Sequence, residues 1–237
     1  TPVTSLWEKS LLRRELTIIN ALPLADVTKH RSADPVFGAI PDDAPRVMRA
    51  ASIDPETTRW HSTGLYLPPG ELVDVTVPAE ALSNGYTLWV SGHRDNLDGK
   101  EKWLRMPKVI GEFPIVAESF SIATPFGGAI YIGTGNTPLN LPAFEVGFNG
   151  VVEAPYFVLN DTSNSDWVDG IRDLPAPYAE LKSENVQISL PSKFIRTLGT
   201  PTEVMAFWNQ VVALQDELGM HAHLRSNGER INIDVQI

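Results

Sequence analysis

Residues 71–93 read ELVDVTVPAEALSNGYTLWVSGH and contain the clearest strand pattern in the chain. In the first part apolar residues alternate with polar ones, as in a strand with one buried face. The last part is a second short run of β-favouring residues. Between them, Asn84 and Gly85 form a dipeptide typical of tight turns. The stretch therefore predicts a β-hairpin and a β-rich fold.

Further strand-like runs follow at short, regular intervals. They are FPIVAESFSIA (113–123), AIYIGTG (129–135), AFEVGFNGVV (143–152) and PYFVLN (155–160). This spacing is typical of a sandwich or jelly roll. The 19 prolines and 17 glycines are scattered, which indicates many short elements joined by tight turns. We therefore expect a mainly β protein with a few helices, built on an antiparallel β-sandwich or jelly-roll-like scaffold.

Two adjacent glycines, Gly127 and Gly128, precede one of these runs in the stretch PFGGAIYIG (125–133). A glycine pair at this place indicates a phosphate loop, an active-site turn or a backbone role. No Lys-Ser/Thr pair and no helix pattern follows, so a phosphate loop has no support. We expect a structural role, in which both glycines let the chain kink or pack closely as it enters the strand.

One amphipathic helix is predicted near the end, at about residues 200–219. Thr200 to Glu203 have the pattern of a capping box with proline at the first helical position, and Gly219 ends the helix. Six apolar residues form the face expected to pack in the core: Val204, Phe207, Trp208, Val211, Val212 and Leu218. The chain then ends in RINIDVQI (230–237), an alternating strand that stops without a turn or cap, so we expect the protein to continue beyond Ile237.

The first 50 residues differ in pattern from the remainder. Residues 5–16, SLWEKSLLRREL, could form a short helix, and PVFGAIPDDAPRV (35–47) is a proline-rich connector. The helix would present Leu6, Trp7, Leu11 and Leu12. We interpret residues 1–50 as a leader or linker from a preceding domain, and residues 51–237 as the β-rich unit.

Composition excludes several classes of protein. The 237 residues carry a formal net charge of −10, which argues against a nucleic-acid partner, because phosphate backbones are met with clustered Lys and Arg. The absence of cysteine excludes disulfides, thiol catalysis and cysteine-zinc sites. No apolar run approaches the roughly 20 residues of a membrane span. The start, TPVTSLWEKS, does not have the pattern of a signal peptide.

The histidines offer little catalytic pattern. The five are His30, His61, His93, His221 and His223, and none is followed by glutamate. No Gly-x-Ser-x-Gly elbow is present. His221 and His223 could chelate a metal from one strand or be solvated loop residues. His93, two residues before Asp95, could be an oriented base or could stabilise a turn.

Aromatic side chains are a second group of candidates. An exposed ring would support sugar binding, whereas a buried ring would be part of the core, and the pattern does not separate the two. The candidates are Trp60, Trp89, Trp103, Trp167 and Tyr178. Of these, Trp89 lies in an alternating strand, which favours a place in the core.

Seven phrases together resemble one family. In order, they are STGLYLPPGE (62–71), GHRDN (92–96), WLRMP (103–107), FGGAIYI (126–132), EAPYFVL (153–159), LPAPYAEL (174–181) and DVQI (234–237). They resemble the amino-terminal half of the enhancin-like zinc metallopeptidases, family M60. The resemblance covers about residues 46–237.

The resemblance implies a secreted bacterial zinc metalloendopeptidase that attacks mucins and other O-glycosylated host proteins. In that family a His-Glu-x-x-His helix and a downstream Glu hold the zinc, and the first Glu activates its water. This sequence contains no His-Glu-x-x-His, so no catalytic or metal residue is carried over. Zinc and the carboxy-terminal catalytic part are expected in the complete enzyme, and the chain alone is expected to be inactive. The alternative is a non-catalytic β-sandwich that binds glycans or other proteins.

Overall fold

The computed structural model describes residues 2–220 and 228–236, and within them strands predominate over helices. The strands are β1 Val47–Ile53, β2 Trp60–Leu67, β3 Val73–Thr76, β4 Thr87–Val90, β5 Gly111–Pro114, β6 Ser119–Ile122, β7 Gly128–Gly133, β8 Phe144–Glu153, β9 Tyr156–Val158, β10 Tyr178–Lys182, β11 Val186–Pro191 and β12 Glu229–Asn232. The helices are α1 Leu6–Asn20, α2 Ala33–Phe37, α3 Asn164–Asp169 and α4 Pro201–Leu218.

The larger sheet is antiparallel and curls into a nearly closed barrel. Its strand order is β5-β4-β7-β2-β8-β3-β6, and β1 pairs with β8. The end strands β5 and β6 are joined only by residues 115–118, so the two ends of the sheet must lie close together. Alternate residues such as Val73, Val75 and Leu88 point inward and are fully buried. The mainly β, antiparallel prediction is confirmed.

The predicted hairpin over residues 71–93 is wrong. β3 pairs with β6 and β8, whereas β4 pairs with β5 and β7, so three strands lie between them. The turn in this stretch lies at Leu82 and Ser83, with a bend at Asn84, and it follows a short 3-10 helix in the connection between β3 and β4. A turn dipeptide in the sequence indicates at most a local change of chain direction. Which strands pair is decided by which of them can bury their apolar faces together.

The smaller sheet has the order β12-β11-β10-β9 and carries the last two helices. Its outer strands β9 and β12 pair in parallel, and the central pair β10 and β11 is antiparallel. A separate core forms between this sheet and the helices, around Phe157, Trp167 and Met205. This second layer therefore has its own packing and lies beside the barrel.

The helix predicted at residues 200–219 is confirmed as α4, but the capping box is wrong. Thr200 makes no side-chain hydrogen bond to the helix backbone, and its hydroxyl lies 3.4 Å from Glu203 Oε2. The helix start is instead capped by Asn164 of α3, whose Oδ1 accepts hydrogen bonds from Thr202 N at 3.2 Å and Thr202 Oγ1 at 2.8 Å. A long-range side chain has replaced the local cap.

The predicted core face of α4 is also largely wrong. The helix packs through Pro201, Met205 and Val212, so of the six predicted residues only Val212 is fully buried. Phe207 is 61% exposed and Leu218 is 87% exposed, because they lie on the opposite side of the helix. The apolar residues of α4 run most of the way around the helix, and the pattern could not tell which side meets the sheet.

The final strand is confirmed but is shorter than predicted, since β12 ends at Asn232. Residues 233–236 continue without strand pairing, and Ile237, His221 and His223 lie outside the described residues.

At the other end, α1 lies against the 97–106 segment. The Lys9 ammonium donates hydrogen bonds to the carbonyls of Lys100 and Glu101 at 2.9 and 2.7 Å. Leu12 packs against the core, whereas the other three predicted apolar residues are exposed: Leu6, Trp7 and Leu11. The division of the chain at residue 50 stays a prediction.

Candidate functional site

A cleft of about 750 Å³ opens between the barrel and the smaller sheet. One wall is formed by β2, β4 and β7, and the other by the β10–β11 connection and the start of β12. The charged and aromatic residues that line it are Arg59, Trp60, His61, Trp89, Arg94, Lys182, Glu184, Glu229 and Arg230. We call this the inter-sheet cleft.

Stacked aromatic rings form the barrel wall of the cleft. Strand register places Trp89 opposite Tyr131, and Tyr131 opposite Ser62, so the rings of β2, β4 and β7 share one face of the sheet. The Trp60 ring lies 5.2 Å from Trp89 and 5.0 Å from Tyr131, centroid to centroid, in stacked geometry. The guanidinium of Arg94 lies 5.0 Å from the Trp60 centroid and 5.9 Å from that of Trp89. A cation is thus held over two indoles.

A buried carboxylate lies below the aromatic wall and ties the two sheets together. Glu180 of β10 is 3% exposed and accepts hydrogen bonds from Tyr131 OH at 2.8 Å, Ser189 Oγ at 2.6 Å and Arg230 Nη1 at 3.2 Å. Arg230 also donates to Gln187 Oε1 at 2.8 Å. Burial, followed by the nearby Glu180 charge, raises the pKa of Tyr131 well above its usual value, so its hydroxyl stays protonated and donates.

Two ionisable groups on the cleft walls have lowered pKa values. Burial lowers the pKa of the Lys182 ammonium, and the positive charge of Arg230 lowers it further, while Glu180 acts in the opposite direction. Burial also lowers the pKa of His61, whose Nε2 lies 3.0 Å from the Thr57 carbonyl. The ammonium of Lys182 would therefore gain from an anion placed beside it.

His93 belongs to a different, closed network. It is 4% exposed, with Nδ1 3.1 Å from Ser91 Oγ and Nε2 3.3 Å from the Tyr178 hydroxyl. Asp234 Oδ1 lies 3.7 Å from the same Nε2. Burial lowers the pKa of His93 to about 4, against the raising effect of Asp234. The ring is neutral at pH 7 and is packed away from solvent.

Arg105 completes this closed network. Its side chain is 0% exposed and pairs with Asp234 Oδ2 at 2.8 Å and with Asp95 Oδ1 at 2.6 Å. Asp95 therefore pairs with Arg105, and it is Asp234 that faces His93. Four of the seven phrases meet here, since they contain His93, Arg105, Tyr178 and Asp234. Residues of these four phrases thus make the contacts that join the barrel to the chain after β12.

Gly127 and Gly128 lie beside Ser91 of this network. Both have positive φ, at 65° and 150°. A Cβ on Gly127 would lie 2.6 Å from the Leu67 carbonyl oxygen, and one on Gly128 would lie 2.5 Å from the Ser91 nitrogen. Since backbone atoms cannot move aside cheaply, a side chain at either position would displace a neighbouring strand end.

The aromatic candidates separate into two groups. Trp103, Trp167 and Tyr178 are buried and cannot serve as sugar platforms, whereas Trp60 and Trp89 line the inter-sheet cleft. Sequence reasoning missed Arg94, Lys182 and Arg230, although Arg94 lies within GHRDN. Trp7 was predicted only as an apolar residue of the first helix and not as a sugar contact, and its ring is 72% exposed.

The described residues do not provide a site that fits zinc. Across 2–220 and 228–236, no three His, Cys, Asp or Glu side chains are grouped closely enough to hold a metal ion. A catalytic zinc site needs three protein ligands, so no step of catalysis is derived from this part of the chain. In the same residues, no helix is long and apolar enough to cross a membrane.

Two family models match consecutive parts of the chain. Residues 42–149 match the N-terminal domain of M60-like peptidases, and residues 150–237 match peptidase M60, enhancin and enhancin-like. The boundary between them falls within β8.

Relatives with similar sequences are named as TRPM8 channel-associated factors and not as peptidases. The zebrafish (Danio rerio) TRPM8 channel-associated factor homolog is 35% identical over 178 residues, which are 75% of this chain and 19% of that protein. Human (Homo sapiens) TRPM8 channel-associated factor 1 is 31% identical over 200 residues, 83% of this chain and 21% of that protein. The chain thus spans about a fifth of the length of these relatives.

Solved structures share the fold at low identity. IMPa from Pseudomonas aeruginosa, in complex with an O-glycopeptide, has a TM-score of 0.60 at 13% identity, covering 87% of this chain and 28% of that one. The M60 catalytic domain of ZmpC from Clostridium perfringens, in complex with the sialyl T antigen, has a TM-score of 0.59 at 13% identity, covering 78% and 43%. At such identity these structures establish a common fold alone.

Proposed function

This chain belongs to the enhancin-like M60 family of peptidases, and we propose that it is the amino-terminal scaffold of a zinc metalloendopeptidase that cleaves O-glycosylated, mucin-like proteins. The observation that carries the proposal is the pair of consecutive family matches, which together extend over both sheets. The O-glycopeptide and sialyl T antigen bound to two proteins of similar fold support the substrate class.

In this proposal the zinc ligands lie beyond Ile237. The family resemblance implies a His-Glu-x-x-His helix and a downstream Glu, and this sequence contains no such motif. The role of the chain is then to support the catalytic helices and to contact the substrate. We further propose an extracellular location and O-glycosylated host proteins as partners, both from the resemblance.

The test is to express the natural protein with its continuation past Ile237. We expect one zinc per protein by metal analysis after dialysis, and cleavage of an O-glycosylated mucin that stops when a chelator is added. The same mucin after enzymatic removal of its O-glycans is the substrate control. A longer protein that holds zinc but leaves both mucins intact would contradict the proposed activity.

Residues 1–237 alone provide the matched protein control. Since the described residues hold no zinc site, we expect this shorter chain neither to digest mucin nor to retain stoichiometric zinc. Digestion by this shorter chain would reveal a catalytic site that the described residues do not contain.

A second candidate function is a catalytically silent scaffold for protein contacts. Identity of 35% to a TRPM8 channel-associated factor homolog, against 13% to the peptidase structures above, favours it. We propose that in this case the chain associates with a channel protein. A downstream segment whose zinc ligands are replaced, together with co-purification of a channel, would support this reading over proteolysis.

A further inference from the structure

The inter-sheet cleft is electropositive although the protein as a whole carries a charge of −10. Four cationic side chains line it, Arg59, Arg94, Lys182 and Arg230, against the two carboxylates Glu184 and Glu229. A local reversal of the overall charge concentrates anions at a cleft.

Most of this positive charge is not neutralised within the protein. Arg230 is paired with the buried Glu180 at 3.2 Å. Among residues 2–220 and 228–236, the side chains of Arg59, Arg94 and Lys182 have no hydrogen-bond or ion-pair partner. The lowered pKa of Lys182 agrees with this arrangement, because both burial and Arg230 act against its charge. Three cations are therefore available to an incoming ligand.

Arg94 is the best oriented of the three. Its guanidinium lies 5.0 and 5.9 Å from the centroids of Trp60 and Trp89, which hold it in place through the ring faces. A guanidinium held in this way keeps N–H groups at its edge for two parallel hydrogen bonds to a planar carboxylate or to a sulfate. Holding the side chain beforehand lowers the entropy lost on binding.

The remaining lining favours a polyhydroxyl ligand over a polyanion. Glu184, Thr87 and Asn136 also face the cleft and can accept or donate hydrogen bonds to hydroxyl groups. The carboxylate of Glu184 would repel a polyphosphate or a heavily sulfated chain. A volume of about 750 Å³ is within the range of small-molecule sites and is sufficient for an oligosaccharide of a few rings.

We propose that the inter-sheet cleft binds a saccharide that carries one acidic group, a carboxylate or a sulfate, with that group on Arg94 and the sugar hydroxyls toward Glu184 and Asn136. That this saccharide belongs to an O-glycosylated substrate rests on the proposed function. The binding itself does not, because all of its groups lie in the described residues of this chain.

The test is a calorimetric titration of the full chain with three saccharides at low salt. Sialyllactose carries a carboxylate, N-acetylglucosamine 6-sulfate carries a sulfate, and lactose carries neither. We expect at least one acidic saccharide to bind about tenfold or more tightly than lactose, and the stronger of the two identifies the acidic group. Raising the salt concentration should remove most of this preference.

Two substitutions test the position of the acidic group. Arg94→Gln should weaken the affinity for the acidic saccharide about tenfold and leave the affinity for lactose unchanged. Arg14→Gln removes the same charge from an exposed position on α1 outside the cleft and should change neither affinity. Circular dichroism of both variants confirms that they are folded, and Lys182→Gln gives a second variant in which the acidic saccharide should bind more weakly.

Three results would overturn the proposal: equal affinity for acidic and neutral saccharides, equal affinities of the Arg94 and Arg14 variants, or tighter binding of inorganic pyrophosphate than of either acidic saccharide. The outcomes also separate this site from the proposed function. If the longer protein cleaves mucin but this chain binds no saccharide, only the proposed saccharide site is refuted. If this chain binds the saccharide but the longer protein does not cleave mucin, only the proposed peptidase activity is refuted.

Discussion

The closed network around His93 and the inter-sheet cleft around Arg94 are adjacent in sequence and opposite in character. His93 and Arg105 are both buried, and their charged and polar partners, Asp234 and Tyr178, come from the chain itself. Arg94 is exposed, and within the described part of the chain its guanidinium contacts the rings of Trp60 and Trp89 without a hydrogen-bond or ion-pair partner. Similar residue types thus serve two purposes, and the difference between them lies in whether each polar group is already satisfied.

A serine, a histidine and an aspartate that lie close together are not by themselves a catalytic site. Ser91, His93 and Asp234 are the residue types of a catalytic triad, but Ser91 faces Nδ1 and Asp234 faces Nε2, the reverse of the catalytic arrangement. They are also packed away from solvent beside a cavity of only about 10 Å³. Buried groups that satisfy one another stabilise a fold. Groups held in place without a partner, as at Arg94, are the better candidates for ligand binding.

The largest expected effect comes from breaking the closed network at Arg105. Arg105→Gln leaves Asp234, which is 13% exposed, without its charged partner. Removing one member of a buried pair costs about 3–5 kcal/mol, so we expect the free energy of unfolding to fall by that amount in urea denaturation. Arg13→Gln, which breaks an exposed pair with Asp98, is the control and should cost less than about 1 kcal/mol. Equal losses in the two variants would contradict a buried structural role for Arg105.

The next largest expected effect is a pH dependence of the unfolding free energy that comes from the His93 ring. With a pKa of about 4 in the fold against 6.5 ordinarily, the folded protein keeps the ring neutral while the unfolded chain takes up a proton. The stability due to the neutral ring is therefore complete above pH 6.5 and is lost as the pH falls toward 4, by up to about 3 kcal/mol. His93→Gln cannot titrate, so its unfolding free energy should decline less over this window. Parallel curves for the two proteins would refute the assignment.

A smaller loss of stability is expected when a side chain is added at the glycine pair. Gly128→Ala places a Cβ 2.5 Å from the Ser91 nitrogen at a φ of 150°, and strain of this kind costs about 1–3 kcal/mol. Gly99→Ala meets nothing within 4 Å and serves as the control. Thermal unfolding should show a lower midpoint for the first variant and an unchanged one for the second. Identical midpoints would remove the structural role proposed for Gly128.

The smallest effect on stability is expected in the cleft. Arg94→Gln loses only its contacts with Trp60 and Trp89, worth about 0.5–1 kcal/mol. The variant should therefore unfold almost as the parent does in urea, even though it binds the acidic saccharide more weakly. A loss as large as that of Arg105→Gln would place Arg94 in the structural group and end the distinction between the two regions.

The sequence predicted local features well and long-range partners poorly. Helix α4 was found because its signals lie within about 20 consecutive residues. The strands that pair with β3 and with β4 were predicted wrongly, because strand partners depend on the whole barrel. The Asn84-Gly85 dipeptide is a local signal and says nothing about which strands pair. Two of the partners of His93, Tyr178 and Asp234, are 85 and 141 positions away, so no spacing rule could assign them.

The candidate site was predicted least completely. Trp60 and Trp89 were named as possible sugar contacts together with the buried Trp103 and Trp167, because a tryptophan in a strand has the same pattern whether its ring is covered or open. The cleft itself forms between two sheets and is closed by residues from opposite ends of the chain. The sequence does not show that Arg59, Arg94 and Lys182 lie together, or that within the described residues they have no ion-pair partner, because both depend on the three-dimensional arrangement.

The most direct test of the account follows the tryptophan indole N–H signals by NMR while an acidic saccharide is added. The chain has six tryptophans, so the signals of the cleft, of the core and of the outer surface are recorded together. We predict that the signals of Trp60 and Trp89 shift in a saturable manner, while those of the buried Trp103 and Trp167 and the exposed Trp7 stay in place. Equal small shifts of all six signals, or shifts confined to tryptophans outside the cleft, would contradict it.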